Sequence, residues 1–354
     1  MKQLSRPLLR WYDQHARDLP WRRTSDPYAI WISEVMLQQT QVETVKPYFE
    51  RFHQRFPRVR DLAAADESEV LRLWEGLGYY RRARQLHAAS KRIVDEFAGQ
   101  FPTQLADVMS LPGIGRYTAG AILSIAFDQR QPILEGNTIR VYSRLLGYRS
   151  DPRSTAGQRE LWQFAEAILP KSRVGAFNQA MMELGSEVCV PKRPDCASCP
   201  LMASCRAREH GWQDQIPIPP QRKTKYEDVT EVAVVVRRRG RVLIRQCGPN
   251  ERWAGMWDFP RLVADGDHPS AVVPQVTAMT GVEILLGTHV TTIKHAVTRF
   301  RITLKCYDAE YVSGRLRRNG GCRWVAPGDL SGFALSVTGR KLANRVQSTN
   351  GELV

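Results

Sequence analysis

The sequence predicts an α+β protein of two domains, an all-α first part and a sheet-rich second part, and three observations carry that prediction. The chain has 354 residues, enough for two cores at roughly 100 to 200 residues each. Its apolar spacing changes near residue 228 from a three- and four-residue period to short β-branched runs. A proline-rich stretch, Ile216-Pro217-Ile218-Pro219-Pro220, followed by a charged segment over 221–228, lies between the two patterns. The expected organisation is a first domain over 1–210, a linker over 211–228 and a second domain over 229–354.

In chain order, helical periodicity covers 28–45, 69–74, 117–127 and 160–168. Asp26-Pro27 reads as a helix start, because Asp caps free backbone N–H groups and proline suits a first turn. Breaks are expected at Gly76-Leu77-Gly78, Leu111-Pro112-Gly113 and Glu135-Gly136-Asn137, giving many short helices. Past the linker, runs over 229–237, 241–246, 288–295 and 300–307 predict strands.

Apolar residues make up 43% and charged residues 25%, mixed along the chain, which excludes disordered and fibrous classes. Apolar runs such as 232–236 fall far short of the ~20 residues of a membrane span, and the first fourteen residues lack a signal-peptide core. No membrane partner is expected, and the location expected is cytoplasmic, associated with the nucleoid. The net charge of +15 favours a polyanion through counterion release, without identifying one.

Four of the seven cysteines are clustered as Cys189-x6-Cys196-x2-Cys199-x5-Cys205, which points to a metal centre over disulfides. Iron–sulfur and zinc both remain open on residues alone. The single short hook inside one compact loop favours iron–sulfur, since structural zinc more often takes two separated hooks.

Leu111-Pro112-Gly113-Ile114-Gly115-Arg116 lies between two helical stretches. Gly113 and Gly115 permit a tight turn, which alone need be no more than a turn; in a chain of charge +15, followed by Tyr117-Thr118 and a helix, its N–H groups are expected to hold a DNA phosphate without reading sequence. Glu34 shares a helix face with Ile30, Trp31, Leu37 and Gln38. Burial on that face would raise its pKa and make it a general acid, whereas a place at the stripe's edge would leave it in water. Glu135 follows an apolar run, and its bland role is to cap the next helix.

Glu34 is followed by Val-Met-Leu-Gln-Gln-Thr-Gln-Val; then come Gly76-Leu-Gly-Tyr-Tyr, the Leu-Pro-Gly-Ile-Gly turn and the four-cysteine loop. With these motifs in this order, the chain resembles the adenine DNA glycosylases of the MutY type, in the helix-hairpin-helix superfamily that includes endonuclease III. The likeness covers residues 7–207 closely and the remainder loosely. It implies a helix-hairpin-helix glycosylase domain with a 4Fe-4S cluster on Cys189, Cys196, Cys199 and Cys205. It also implies that Glu34 protonates a flipped adenine. The family has an Asp where this sequence has Glu135, as the carboxylate that steadies an oxocarbenium-like sugar, with Asn137 and Tyr117 completing the pocket. Gln39 and Tyr79 match residues that wedge into the duplex, Gln38 and Thr40 lie beside them, and Gly113, Gly115 and Arg116 belong to the backbone-gripping hairpin. Arg81, Arg82 and Arg84 offer a phosphate-facing strip, with solvated helix charges as the alternative.

Relatives that also cut the strand carry a lysine at the position of Tyr117, because an amine is needed to form a Schiff base. The resemblance therefore implies a monofunctional enzyme that leaves an abasic site. The second domain resembles the family's Nudix-fold domain, with Trp257-Asp258-Phe259-Pro260 matching the strand before a Nudix helix. Residues 262–281 hold only Asp265 and Asp267 as acids, so the magnesium-holding Nudix catalytic box is lacking. In the family this domain inspects 8-oxoguanine with a Phe-Ser-His loop. Val297-Thr298-Arg299 stand there here, and Thr298 keeps the hydroxyl.

The function expected is base excision repair: release of adenine opposite 8-oxoguanine or guanine in duplex DNA, by a monomer whose protein partners the sequence does not specify. A bifunctional glycosylase/lyase of the endonuclease III type and a non-catalytic lesion-binding protein are the alternatives.

Overall fold

The computed structural model describes residues 4–219, 225–263, 271–317 and 321–351. The chain forms two compact units, one of residues 1–64 and 85–222, the other of residues 65–84 and 223–354.

The first unit is helical. It contains α1 (Ser5–His15), α2 (Pro27–Leu37), α3 (Val42–Arg55) and α4 (Val59–Ala64); α5 (Glu67–Leu73) belongs to the other unit, and α6 (Arg81–Glu96) begins there. Then follow α7 (Leu105–Ser110), α8 (Arg116–Phe127), α9 (Gly136–Leu146), α10 (Thr155–Ala167), α11 (Val174–Glu187) and α12 (Arg206–Glu209). The Asp26 carboxylate caps α2 by accepting the Tyr28 N–H at 3.1 Å, and Pro27 opens the helix. Tyr28 to Met36 are all buried, as expected of a helix apolar on every side and enclosed by its neighbours. α2 packs on α8, and α11 packs on α8, α9 and α1. Leu8, Tyr142, Phe177 and Met181 fill one core of this unit.

The helix expected over 28–45 is two helices. Residues 38–41 are polar, Gln39 takes a left-handed φ of 60°, and α3 restarts at Val42. The break keeps these four polar side chains out of the apolar interior that a continuous helix would have driven some of them into. Within the expected linker, residues 211–219 fold onto the first unit: Ile216 is buried, and its carbonyl accepts Arg144 Nε at 2.9 Å. Residues 220–224 lie outside the described residues.

The second unit is built on a mixed sheet of β1 (Glu227–Arg238), β2 (Arg241–Gln246), β3 (Trp257–Asp258), β4 (Arg261–Val263), β5 (Val282–Val297), β6 (Phe300–Gly314) and β7 (Cys322–Val325). The order is β3-β2-β1-β6-β5, with β4 also on β1 and β7 on β2. β1 runs parallel to β6, matching Glu231 to Leu304, while β5 and β6 form an antiparallel ribbon. Alternation along β1 sends Val232, Val234 and Val236 into one core with α13 (Val272–Thr280). It sends Ala233 and Val235 into another with α14 (Val337–Gly351). Both faces are covered, so six consecutive residues of β1 are buried. The four strands expected from sequence are present, with β5 and β6 longer than their β-branched runs. β3, β4 and β7 are too short to leave a periodic signal. The sequence reading assigned residues 65–84 to the first domain; in the structure they group with the sheet.

Candidate active site

One cavity of about 910 Å³ lies within the helical unit, lined among others by Glu34, Gln38, Gln39, Thr40, Gly113, Gly115, Tyr117, Glu135 and Asn137. α2 supplies Glu34, the start of α8 supplies Tyr117, and the start of α9 supplies Glu135 and Asn137. Residues from three separate stretches of sequence thus meet at one cavity.

Glu34 is only 5% exposed. Burial pushes its carboxyl up to about 7; a hydrogen bond from Tyr117 opposes the rise, the Glu135 charge adds to it, and Arg22 opposes it. The Tyr117 hydroxyl donates to Glu34 Oε2 at 2.6 Å and lies 3.4 Å from Met182 Sδ. Glu135 is also pushed upward by burial, against the N–H groups of Asn137 and Thr138 that favour its ionised form. Both of its oxygens accept the Asn137 N–H at 2.9 Å, and Oε1 accepts the Thr138 N–H at 2.9 Å. The Thr138 hydroxyl oxygen accepts the Glu135 N–H at 2.7 Å, closing a capping box. Glu135 is therefore a helix cap and a cavity-lining carboxylate at once. Asn137 Oδ1 accepts Arg140 Nη2 at 2.8 Å, and Arg140 Nε reaches the Cys189 carbonyl at 2.7 Å. Gly185 permits this approach, since a Cβ there would lie 2.7 Å from Asn137 Cβ.

Sequence reasoning missed a further buried carboxylate of this cavity. Glu183 on α11 is 1% exposed and lines the cavity with Arg17, Trp21 and Arg22. Burial alone would raise its pKa, but bonds from Arg17 Nε and Nη2 and from Arg22 Nη2, each 2.8 Å, pull it down to about 2. No short spacing announces this cluster, because the arginines lie 166 and 161 residues away from Glu183.

At the hairpin, Gly113 has φ 80°, and a Cβ there would stand 2.8 Å from Gln85 Cβ. Gly115 is the N-cap of α8, and Arg116 stacks on the Trp162 ring at 3.9 Å. Gln38 Nε2 donates to Thr118 Oγ1 at 3.4 Å, and Thr40 Oγ1 to the Gln38 carbonyl at 3.4 Å. Cys189, Cys196, Cys199 and Cys205 are all partly buried, and three of them pack against the core of the helical unit. Arg144, nearly fully buried, donates to Cys189 Sγ at 3.2 Å. Among the described residues, no three His, Cys, Asp or Glu side chains gather as a single metal ion would require.

Residues 32–167 match the model of the HhH-GPD superfamily base excision DNA repair proteins, and residues 231–345 match the NUDIX domain model. The chain is 41% identical over 293 residues to the adenine DNA glycosylase of Mus musculus, which covers 79% of this chain and 56% of that protein. It is 39% identical over 261 residues to the adenine DNA glycosylase of Buchnera aphidicola from Schizaphis graminum, covering 72% of this chain and 74% of that protein. The chain belongs to the adenine DNA glycosylase family. It spans about half the length of the mammalian members it matches. Among solved structures, a thermostable thymine-DNA glycosylase superposes with a TM-score of 0.53 at 28% identity, over 58% of this chain and 94% of that one. Endonuclease III in a non-covalent DNA complex, at 23% identity and a TM-score of 0.50, shares the helical fold.

The family's helical and Nudix-like parts are both present. Two site residues expected from sequence lie in the second unit. Tyr79 is 51% exposed with φ 48°, and Thr298, at the tip of the β5–β6 ribbon, is exposed with φ 53°. Thr298 Oγ1 donates to the Val297 carbonyl at 2.7 Å, so its hydrogen is used and the oxygen keeps its acceptor capacity. Arg81 is exposed, but Arg82 is turned inward and does not extend a phosphate strip; its Nη2 holds the Leu77 and Gly78 carbonyls. α13 carries no acidic residue, and Asp265 and Asp267 lie outside the described residues.

Proposed function

We propose that the chain is a monofunctional adenine DNA glycosylase that flips adenine from duplex DNA opposite 8-oxoguanine or guanine, hydrolyses its glycosidic bond and leaves an abasic site. The observation that carries this reading is Glu34, buried and raised to about 7 in a cavity it shares with a second carboxylate.

The chemistry follows from that pairing. A carboxyl half-protonated near neutral pH delivers a proton to a base nitrogen and makes adenine a neutral leaving group. Positive charge then grows on the sugar, and the Glu135 carboxylate, its oxygens held by the cap N–H groups, steadies it. Asn137 is fixed by Arg140, and Tyr117 orients the Glu34 carboxyl. Water is the nucleophile, since no lysine is among the described residues lining the cavity. Glu183, held ionised by Arg17 and Arg22, fixes those two guanidinium groups where they line the cavity.

Gly113, Gly115 and Arg116 grip the DNA backbone; Gln38, Gln39, Thr40 and Tyr79 enter the duplex, and Thr298 inspects the opposing base. Its oxygen, an acceptor once its hydrogen is given to Val297, suits the N7–H of 8-oxoguanine, where guanine presents an acceptor. Four thiols on one loop, braced by Arg140 and Arg144, suit a 4Fe-4S cluster, which takes one thiolate per iron. When bound, the cluster supplies a staple for the basic loop that carries it. Among the described residues, no helix is long and apolar enough to cross a membrane. On this reading the protein acts at the nucleoid as a monomer.

The test measures free adenine and strand breaks from duplexes carrying adenine opposite 8-oxoguanine, guanine or thymine, with and without borohydride. Adenine release with strand cleavage only after alkali is expected. A borohydride-trapped adduct would make it a lyase, and binding without adenine release would make it a lesion-binding protein.

A further inference from the structure

The segment that carries Tyr79 is fastened to the C-terminal unit by a two-pronged ion pair. Glu75, in the turn after α5, accepts Arg340 Nε on Oε1 at 2.6 Å and Arg340 Nη2 on Oε2 at 3.0 Å. Oε2 also accepts the backbone N–H of Leu335 at 3.1 Å. Arg340 is itself fixed by the carbonyls of Leu330 at 2.9 Å and Phe333 at 2.6 Å, and Leu335 is fully buried. The Glu75 and Arg340 side chains are only 15% and 24% exposed. A charge-assisted fork with this shelter fixes direction as well as distance.

The five residues from Glu75 to Tyr79 are cross-braced. Trp74 Nε1 donates to the Gly78 carbonyl at 3.2 Å, and the Tyr80 hydroxyl accepts the Gly76 N–H at 3.3 Å. Arg82 Nη2 holds the Leu77 and Gly78 carbonyls at 3.4 and 3.3 Å. Tyr79 stands out of this knot in a left-handed conformation, its ring under the Arg82 guanidinium. A braced turn transmits a shift at one end to the other. On the far side of α5, a Cβ at Gly255 would lie 3.1 Å from Glu67 Oε1 and 3.2 Å from Leu71 Cδ1, so the segment is seated closely along its length.

We propose that Glu75 and Arg340 are positioning residues for Tyr79, so that the C-terminal unit presents the wedge as well as the inspecting tip. The inference rests on the proposed entry of Tyr79 into duplex DNA. It makes engagement of the duplex and inspection of the opposing base properties of one body.

The test uses the full chain and single-turnover adenine release from an adenine:8-oxoguanine duplex over a range of enzyme concentrations. Glu75→Gln removes the charge but keeps the length and an acceptor for the Leu335 N–H. It should raise the half-maximal enzyme concentration about tenfold, with the maximal rate held within about twofold. Tyr79→Ala should raise the same quantity, and the double variant should be no worse than Tyr79→Ala, because two residues acting through one contact are not additive. Arg340→Lys, which keeps a charge but loses the fork, is read in the same way if Glu75→Gln fails to fold. Full additivity, parent values for Glu75→Gln, or parent values for Tyr79→Ala would each overturn the inference. A parent protein that releases no adenine from any duplex sinks the glycosylase reading instead. In that case duplex binding by fluorescence anisotropy across the same variants decides the role of the fork.

Discussion

Tyr117→Phe, the removal of one oxygen, should shift the basic limb of the pH profile to higher pH. Glu34 acts as an acid only while protonated, so the rate falls as pH rises through its pKa, which burial pushes up to about 7. The Tyr117 hydroxyl works against that push, because its 2.6 Å bond to Oε2 stabilises the ionised form. A hydrogen bond to a charged group contributes about 1.5–3 kcal/mol. At about 1.4 kcal/mol per pH unit, the limb should rise by about one to two units. Solvent screens little of this, since Glu34 is 5% exposed. The position of the limb is the readout, because loss of a pocket hydroxyl can also lower the plateau. Single-turnover rates on an adenine:8-oxoguanine duplex, taken from about pH 5 to about pH 10 with binding checked at each point, measure it. A limb that stays near 7 or moves downward means that Tyr117 does not bond ionised Glu34 during turnover, and the acid assignment falls with it.

Three further outcomes are expected. Glu135→Gln should lower adenine release by ~10²–10³-fold, whereas Glu135→Asp, which keeps the charge, should stay measurably active; a Gln variant with parent single-turnover rates would leave Glu135 as a helix cap only. Glu183 is lowered from 4.5 to about 2, about 2.5 units or ~3 kcal/mol. That stability is present in full above about pH 4.5 and lost as pH falls toward about 2. Melting temperature against pH should therefore show a shallower acid limb in Glu183→Gln, and an unchanged limb counts against the arginine clamp. Anaerobically prepared protein should hold about four irons and four sulfides per chain, and should lose them when Cys199 is replaced by Ser; stoichiometric zinc without sulfide would refute the cluster.

What was legible in the sequence was local. Glu34 could be picked out because its helical neighbours are apolar, and that same apolar wrapping is what raises its pKa. Glu135 was legible as a cap because it follows an apolar run where a new helix opens, and the structure adds Thr138 as the partner that completes the box. The cysteine loop declares itself by spacing. Glu183 escaped because its partners are far away in sequence and α11 reads as an ordinary core helix. The grouping of residues 65–84 escaped for the same reason: Glu75 and Arg340 are 265 residues apart. The split of the 28–45 stretch was hidden because apolar periodicity continues on both sides of the polar turn.

Gln39, Tyr79 and Thr298 share a backbone state that side chains other than glycine seldom adopt, with φ of 60°, 48° and 53°. Each holds it at a cost of about 1–2 kcal/mol, which the surrounding structure must hold in place. On the proposed reading all three are probes of DNA, and all three are exposed with this backbone state already set before a duplex arrives. A protein that must sample very many normal base pairs for every damaged one gains from this in search time. The scan then proceeds by collision and departure, with no folding step to repeat at each site.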